Sequence, residues 1–241
     1  MLQTITGHVR RAIDDYNMID EGDKIAVALS GGKDSITLLY ALHTLQRFYP
    51  KHFEIMAITI HPDSDTFNTE KLEKMCKDLN IEYVIYHSDL SNILFNVRQE
   101  KNPCSLCANL RRGMLNTLAV EHGCNKIALG HHLDDAIETL LMNMCLNGNI
   151  HTFSPVTTFG NNQITVIRPL IYVYEKETRA LARKMNFPVM GKCCPKDGYT
   201  MREYMKQLVI QLRKYIPKVR ENLIGSIIRS DIPGWKKPNK D

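Results

Sequence analysis

The chain has 241 residues, of which 44% are hydrophobic, and its 31 basic and 26 acidic residues give a formal net charge of +5 at pH 7. This length and composition predict a globular protein with a substantial core, made of one large domain or of one domain with a small appendage. No apolar run is long enough to span a membrane, and the first eight residues lack the pattern of a signal peptide. We therefore expect a cytoplasmic protein without a membrane partner.

Apolar runs alternate with segments of helical periodicity along most of the chain. The apolar runs predict five strands, at 25–29, 54–60, 81–86, 126–129 and 164–167. Helices are predicted at about 5–19, 35–47, 69–80, 105–118, 134–146, 175–185, 201–215 and 219–229. Fully apolar strands that alternate with helices predict an α/β fold with a doubly wound parallel sheet of five strands and flanking helices.

The chain divides into three predicted segments. Residues 1–22 form an N-terminal helix, residues 23–190 form the α/β domain, and residues 191–241 form a basic helical C-terminal segment whose tail, from Pro233, is expected to be disordered. Residues 176–241 contain 16 basic and 6 acidic residues, whereas residues 1–175 contain 15 and 20. This asymmetry suits a polyanionic partner such as RNA, although a solvated lysine-rich tail would explain it equally well.

The stretch Ser30-Gly31-Gly32-Lys33-Asp34-Ser35 lies between the first predicted strand and the second predicted helix. Two glycines allow a tight turn and close approach to an anion, and the start of the next helix offers unpaired amide donors. The serine hydroxyls and the Lys33 ammonium add further donors. A simple Gly-Gly turn is the alternative, but this set of side chains in a strand-to-helix context favours a phosphate-binding loop.

The cysteine pattern predicts a metal centre. Seven cysteines in a reducing compartment are not expected to form disulfides. Cys104 and Cys107 form a CxxC at a predicted helix start, where both sulfurs can face one metal, although a redox dithiol or two incidental cysteines are alternatives. Adjacent Cys193 and Cys194 cannot easily both bind one tetrahedral metal, so we expect one of them to complete a three-cysteine site. In an iron-sulfur cluster this leaves one iron without a protein ligand.

The remaining cysteines, Cys76, Cys124 and Cys145, lie in apolar helical or strand-adjacent surroundings and are interpreted as small core residues.

Gly130-His131-His132-Leu133-Asp134-Asp135 follows the fourth predicted strand, at the carboxyl edge where doubly wound folds bind their ligands. Its paired carboxylates could hold magnesium or transfer protons, while one of them is expected to cap the following helix. Arg111 and Arg112 lie one helical turn after Cys107, so one of them can face the site. Arg168, at a strand end, is either a phosphate contact or a surface ion-pair residue.

The stretch at 30–35 resembles the SGGxDS signature of the PP-loop ATP pyrophosphatase superfamily, whose members cleave ATP to AMP and pyrophosphate. With CSLCANLRRG, ALGHHLDD, IRPL and a later cysteine before proline, the chain more closely resembles the tRNA 2-thiocytidine synthetase family of iron-sulfur-dependent tRNA thiolases. The match covers residues 24 to about 202. It implies ATP with Mg²⁺, a [4Fe-4S] cluster held by three cysteines, and replacement of a tRNA base carbonyl oxygen with sulfur.

The resemblance assigns roles to individual residues. Cys104 and Cys107 would be cluster ligands, and Cys194 is preferred over Cys193 as the third because a Cys-Pro with Arg202 eight residues later resembles the related 2-thiouridine thiolases. The catalytic residues would be Asp135, Arg111 and Lys33. The ATP-binding residues would be Ser30, Gly31, Gly32, Lys33, Asp34, Ser35, Gly130 and Arg168.

The expected partners are tRNA and a sulfur donor, either a cysteine desulfurase or free sulfide, and a homodimeric state is left open. Three alternatives share part of this pattern. A 2-thiouridine-forming thiolase would use the same chemistry on another base. A lysidine synthetase or an amidotransferase-type ligase would share the loop but does not call for the cysteines. A non-catalytic nucleotide-binding regulator would hold structural zinc instead.

Overall fold

A computed structural model describes residues 1–62, 67–88, 103–159, 164–190 and 200–235, with only the backbone described at 103–105 and at 159. These residues form eight α-helices and six strands, numbered here in chain order. The elements are α1 (Leu2–Tyr16), β1 (Asp23–Ala28), α2 (Lys33–Leu45), β2 (Phe53–His61), α3 (Glu70–Asp78), β3 (Glu82–His87), α4 (Pro103–Glu121), β4 (Lys126–Ala128), α5 (Leu133–Asn147), β5 (Val156–Phe159), β6 (Ile164–Ile167), a 3₁₀ turn (Pro169–Tyr172), α6 (Glu175–Lys184), α7 (Met201–Tyr215) and α8 (Val219–Arg229).

The six strands form one sheet in the order β3-β2-β1-β4-β6-β5. All neighbouring strands are parallel except β5, which pairs antiparallel to β6. The doubly wound parallel fold is therefore confirmed, but the sheet has six strands rather than five. The sequence of β5 contains two consecutive threonines and lacks the apolar run of a buried strand, because β5 lies at the edge of the sheet. The chain turns in opposite directions on either side of β1, so the carboxyl ends of β1 and β4 border a crevice.

Alternate residues of β1 face the two helical layers of the fold. Ile25 and Val27 lie in a core shared with α1, α2 and α6, whereas Ala26 lies in a second core shared with α4. All three are fully buried. Because both faces of the sheet are covered, its central strands must be apolar throughout, which is the pattern that made them recognisable in the sequence. None of the helices in the described ranges is both long enough and apolar enough to cross a membrane.

The C-terminal end is more ordered than the sequence suggests. Trp235 is 7% exposed, and its indole N–H donates a 3.1 Å hydrogen bond to the carbonyl of Phe153. The Ser154 hydroxyl donates a 2.7 Å hydrogen bond to the carbonyl of Pro233. The expected disorder from Pro233 is therefore wrong for 233–235, because a single tryptophan anchors a segment that is otherwise polar. Residues 236–241 lie outside the described residues, and the predicted domain boundaries stay predictions.

A buried ion pair ties the start of β4 to the start of β1. The Lys126 ammonium lies 2.7 Å from a carboxylate oxygen of Asp23, and both side chains are less than a tenth exposed. It also lies 2.9 Å from Asp20 and donates a 3.0 Å hydrogen bond to the carbonyl of Met18. Removing one member of such a pair leaves the other charge buried without its counter-ion.

Lys126→Met is expected to lower the free energy of unfolding by about 3 kcal/mol, because Asp23 would stay buried as an uncompensated charge. Lys51→Met is the matched control. Lys51 also pairs with Asp20, at 3.2 Å, but this pair is exposed, so its loss should cost about 1 kcal/mol or less. Urea unfolding of both variants measures the difference, and equal losses would contradict the assignment of Lys126 as the structural cation.

Candidate active site

The stretch at 30–35 turns from β1 into α2, as the sequence predicts. Thr59 of β2 donates a 2.6 Å hydrogen bond to the carbonyl of Leu29 and so fixes the chain just before the turn. Gly31 has a φ of 77°, a left-handed conformation in which a side chain is strained, and the sulfur of Met190 occupies the place of a Cβ. Gly32 is the N-cap of α2, so the first amide groups of this helix are available to an anion.

The charged pair of this loop is partly buried and joined to α6. The Lys33 ammonium lies 2.7 Å from Asp34 and 3.2 Å from Glu175. Burial alone would lower the pKa of Lys33, but these two carboxylates outweigh burial and raise the pKa above its ordinary value. The other oxygen of Asp34 accepts a 2.5 Å hydrogen bond from the Thr178 hydroxyl. Lys33 therefore stays charged, and its carboxylate neighbours hold it at the loop.

The loop after β4 packs directly on the loop after β1. A Cβ on Gly130 would lie 3.1 Å from the backbone of Asp34 and of Ser35, so a larger residue would push the two loops apart by a few tenths of an ångström. His132 then caps α5: its Nδ1 accepts the Asp135 N–H at 3.3 Å, and its own N–H donates to Asp135 at 2.9 Å. The Nε2 of His132 lies 3.9 Å from Asp34. The two loops thus lie against each other at one edge of the sheet.

Asp135 is held on both carboxylate oxygens. One oxygen accepts the His132 N–H, and the other lies 2.8 Å from the guanidinium of Arg202 on α7. Burial would raise the pKa of Asp135, but His132, His131 and Arg202 outweigh it and lower the pKa below its ordinary value. The side chain is therefore ionised, and a carboxylate of low pKa is a poor proton acceptor near neutral pH. Asp135 contributes the helix cap that the sequence assigned to one of the two aspartates.

Asp134, unlike Asp135, makes its contacts with other helices. Its carboxylate accepts a 2.7 Å hydrogen bond from the backbone N–H of Glu175, and it lies 3.3 Å from Arg220 on α8. Asp134 is 5% exposed. It therefore joins the starts of α5 and α6 to the C-terminal helices. Among the described residues, no three His, Cys, Asp or Glu side chains converge to form a metal site.

Glu138, one turn after Asp135, is 5% exposed and has an altered pKa. Burial, and next the negative charge of Asp135, raise the pKa of Glu138 to about 8 from 4.5. Between pH 4.5 and 8 the folded protein keeps a proton here that the unfolded chain releases. The contribution of Glu138 to stability is therefore fully present below pH 4.5 and is lost as the pH rises through 8.

Glu138→Gln is expected to be more stable than the parent at pH 8.5, by on the order of 2 kcal/mol, because the amide fills the same space without ionising. The difference should vanish near pH 5. Urea unfolding at three pH values measures it, and Glu121→Gln, at the exposed end of α4, serves as the control. If the stability difference between the parent and Glu138→Gln did not change with pH, the raised pKa of Glu138 would be contradicted.

The Arg168 guanidinium is held by contacts within the protein. Its guanidinium donates to the carbonyl of Ser154 at 2.6 Å and to the Thr157 hydroxyl at 3.1 Å, and it lies over the ring of Phe153. Burial, and next the charge of Arg112, lower the pKa of Arg168 to about 10. Arg168 is 7% exposed. It supports the end of β6 beside the site, and its predicted contact with a phosphate stays a prediction.

Of the predicted cluster residues, the structure describes the side chain of Cys107 alone. Cys107 is partly exposed in the first half of α4, and Arg111, one turn later, is exposed. The backbone of Cys104 lies in the first turn of the same helix, so the two positions are three residues apart on one side. Cys193 and Cys194 lie outside the described residues.

The chain on both sides of 191–199 contacts the site. The Met190 N–H donates a 2.9 Å hydrogen bond to the carbonyl of Gly31. Beyond Thr200, Arg202 reaches Asp135.

Of the three cysteines that the sequence assigned to the core, two are buried and one is exposed. Cys76 and Cys124 are buried, as predicted, and burial raises the pKa of the Cys76 thiol to about 12. Cys145 is exposed on α5, so its assignment to the core is wrong. The apolar neighbours Met144 and Leu146 are exposed as well, so the last turn of α5 lies outside the core although its sequence is apolar.

Sequence reasoning missed several members of the site: Glu175, Thr178, Lys206 and Glu138. They lie on helices far along the chain from the loop, in segments that read as ordinary amphipathic helices. The sequence did contain one signal for two of them, because Glu175 and Thr178 lie in the first turn of the helix that follows the IRPL motif. Its proximity to Lys33 depends on the packing of α6 against α2, which no local pattern encodes.

A doubly wound sheet with a Gly-Gly anion loop after its central strand defines a PP-loop domain, and the family model described as a PP-loop domain matches residues 2–211. Two relatives are each named tRNA-cytidine(32) 2-sulfurtransferase. The protein of Geobacter metallireducens is 41% identical over 92% of this chain and 88% of its own length. That of Ralstonia pickettii is 38% identical over 95% and 73%.

A solved structure with the same fold is the U34-tRNA thiolase NcsA from Methanococcus maripaludis with its [4Fe-4S] cluster. It is 25% identical, with a TM-score of 0.76 over 94% of this chain and 78% of its own. The chain belongs to the tRNA-cytidine(32) 2-sulfurtransferase family. The family predicted from the motifs is thereby confirmed.

Proposed function

We propose that this protein is an ATP-dependent sulfurtransferase that replaces the C2 carbonyl oxygen of a cytidine in the anticodon loop of tRNA with sulfur. Family membership supports the reaction class, because the match covers 88% of the Geobacter metallireducens relative and 73% of the Ralstonia pickettii relative. The observation that carries the proposal is the meeting of three motifs at one sheet edge. The loop at 30–35 contacts the loop at 130–135, and Met190 and Arg202, which flank 191–199 in the sequence, contact these two loops.

ATP would bind with its phosphates on the loop at 30–35. The amide groups that open α2 and the Lys33 ammonium face the same loop, and both favour an anion. The C2 carbonyl oxygen of the base attacks the α-phosphate, and pyrophosphate leaves. A sulfur nucleophile then adds to C2, and AMP departs with the oxygen. Adenylation thus converts a poor leaving group into a good one, with Lys33 stabilising charge on the phosphates.

The donor set fits an iron-sulfur cluster better than a redox dithiol. Positions 104 and 107 are three residues apart in the first turns of α4, and Met190, the last described residue before Cys193 and Cys194 in the sequence, is hydrogen-bonded to Gly31 of the loop. Cys104, Cys107 and Cys194 would hold a [4Fe-4S] cluster, with Cys193 as the competing third ligand. Such a cluster, with one iron lacking a protein ligand, would supply a position for sulfur. Mg²⁺, if required, would enter with the phosphates of ATP.

Asp135 would act electrostatically in this reaction. Its low pKa keeps it ionised, and it holds Arg202 at the edge of the site. Arg111, exposed one turn after Cys107, would be the basic residue on the α4 side. Both arginines can stabilise the negative charge that develops on the α-phosphate as AMP leaves.

The C-terminal helices would hold the tRNA backbone. Arg213, Lys214 and Lys218 are exposed at the connection of α7 and α8, and Tyr215 beside them is 85% exposed. Cations bind phosphates, and an exposed aromatic ring can stack on an unpaired base. Arg10 and Arg11 are also exposed, although each pairs with an aspartate one turn later. A base in an anticodon loop is easier to extrude into a pocket than a base in a duplex.

Mass spectrometry of nucleosides from the tRNA of a deletion strain tests the proposal. We expect 2-thiocytidine to disappear, to return with the wild-type gene, and to stay absent with Lys33→Met. Loss of 2-thiouridine instead would show that the target base is wrong and the reaction class is right. An unchanged set of thiolated nucleosides would overturn the proposal.

Anaerobic purification separates the sulfur chemistry from its alternatives. We expect a brown protein with visible absorbance from iron-sulfur charge transfer. A colourless protein with stoichiometric zinc would favour the structural-zinc alternative and contradict the proposed cluster.

A further inference from the structure

Glu175, the first residue of α6, is surrounded by three cations. One carboxylate oxygen lies 3.2 Å from the Lys33 ammonium and 2.9 Å from the Arg179 guanidinium. Lys206, on α7, lies 2.8 Å from each of the two carboxylate oxygens. Burial would raise the pKa of Glu175, but Lys206, Lys33 and Arg179 outweigh it and keep the pKa well below its ordinary range. Glu175 therefore stays ionised.

The position of Glu175 is fixed by its backbone. Its N–H donates to Asp134 at 2.7 Å, and its carbonyl accepts from Thr178, whose hydroxyl also donates to Asp34. Glu175 is 9% exposed. The first turn of α6 is thus clamped between the two loops of the site, and its carboxylate cannot move away from Lys33 without breaking these contacts.

Lys206 and Lys33 are neighbours because they share one oxygen of Glu175. Both side chains are about a quarter exposed, so neither lysine is sealed inside the protein. An ammonium has three donors, and a single carboxylate does not use all those of Lys206. Lys206 also lies one helical turn after Arg202, on the face of α7 that meets the site.

We propose that Lys206 is a second phosphate-binding cation, and that Glu175 is the positioning residue that holds it beside Lys33 for the polyphosphate of ATP. The inference deepens the proposed function and rests on it. A triphosphate carries several negative charges, and two adjacent ammonium groups match it better than one. Without Glu175 the two ammonium groups would repel each other and separate. The contact surface for the β- and γ-phosphates would therefore be built by α7 as well as by the loop.

Isothermal titration with a non-hydrolysable ATP analogue and with AMP tests the proposal. Lys206→Met is expected to weaken analogue binding about tenfold and to change AMP binding less than twofold, because AMP lacks the outer phosphates. Lys206→Arg should restore most of the analogue affinity. Glu175→Gln should show the same selective loss as Lys206→Met. Lys184→Met, which removes an exposed lysine at the end of α6, is the control for net charge.

Two results would overturn this inference, and a different result would overturn the proposed function. Equal loss of analogue and AMP binding in Lys206→Met, with a lowered melting temperature, would show a purely structural ion pair and overturn the inference. Undiminished analogue binding would overturn it as well. If Lys206→Met does not fold, Lys206→Gln is compared in the same way. A wild-type protein that binds no ATP analogue would instead overturn the proposed function.

Discussion

Cys107→Ser is expected to yield a colourless protein that binds ATP and transfers no sulfur to tRNA. A serine hydroxyl is a poor ligand for iron, and a three-cysteine site has no spare protein ligand. The loop at 30–35 is built from β1, α2 and α6, so its geometry does not depend on the Cys107 sulfur. Iron content, visible absorbance and tRNA thiolation should therefore fall together to background, whereas affinity for an ATP analogue should change less than about twofold.

Cys145→Ser is the matched control, because Cys145 is exposed on α5. It should keep full colour and activity. A brown and active Cys107→Ser protein would contradict the ligand assignment. The third ligand is decided by the same measurements on Cys193→Ser and Cys194→Ser, and we expect the second of these to lose the cluster.

Gly130→Ala is expected to reduce tRNA thiolation by about 100-fold or more, in a protein that still folds. The added Cβ would lie 3.1 Å from backbone atoms of Asp34 and Ser35, and backbone at the start of a buried helix cannot yield as a flexible side chain can. The loop at 130–135 would move away from the ATP loop and carry Asp135 and Arg202 with it. Steady-state kinetics with tRNA and ATP measure the loss of activity, and circular dichroism shows whether the variant is still folded.

Gly7→Ala is the control for a glycine substitution. No atom lies within 4 Å of a Cβ at this position, which is exposed in the middle of α1. Alanine should stabilise the protein there by about 0.5–1 kcal/mol without changing activity. A Gly130→Ala enzyme with activity like that of Gly7→Ala would show that the close approach of the two loops is not required.

The sequence predicted the elements of this protein well and its long-range contacts poorly. The central strands were recognisable because burial on both faces demands continuous apolar runs. The loop at 30–35 was recognisable because only glycine permits its turn and because donors cluster beside it. The membership of β5 in the sheet and the burial of Trp235 were not predicted, and Cys145 was misassigned, since each depends on what packs against that segment rather than on its own residues.

The fold class, the anion loop and the cysteine motifs could be predicted from the sequence alone, because they follow from local periodicity and from residue types with one principal chemical use. Which charges meet could be seen only after the helices were packed together. The tertiary structure placed Glu175 and Lys206 beside Lys33, and Arg202 on Asp135, by packing α6 and α7 against the starts of α2 and α5. Such contacts join residues that lie from a few tens to more than a hundred positions apart, and their energy depends on burial and distance, which a linear pattern does not contain.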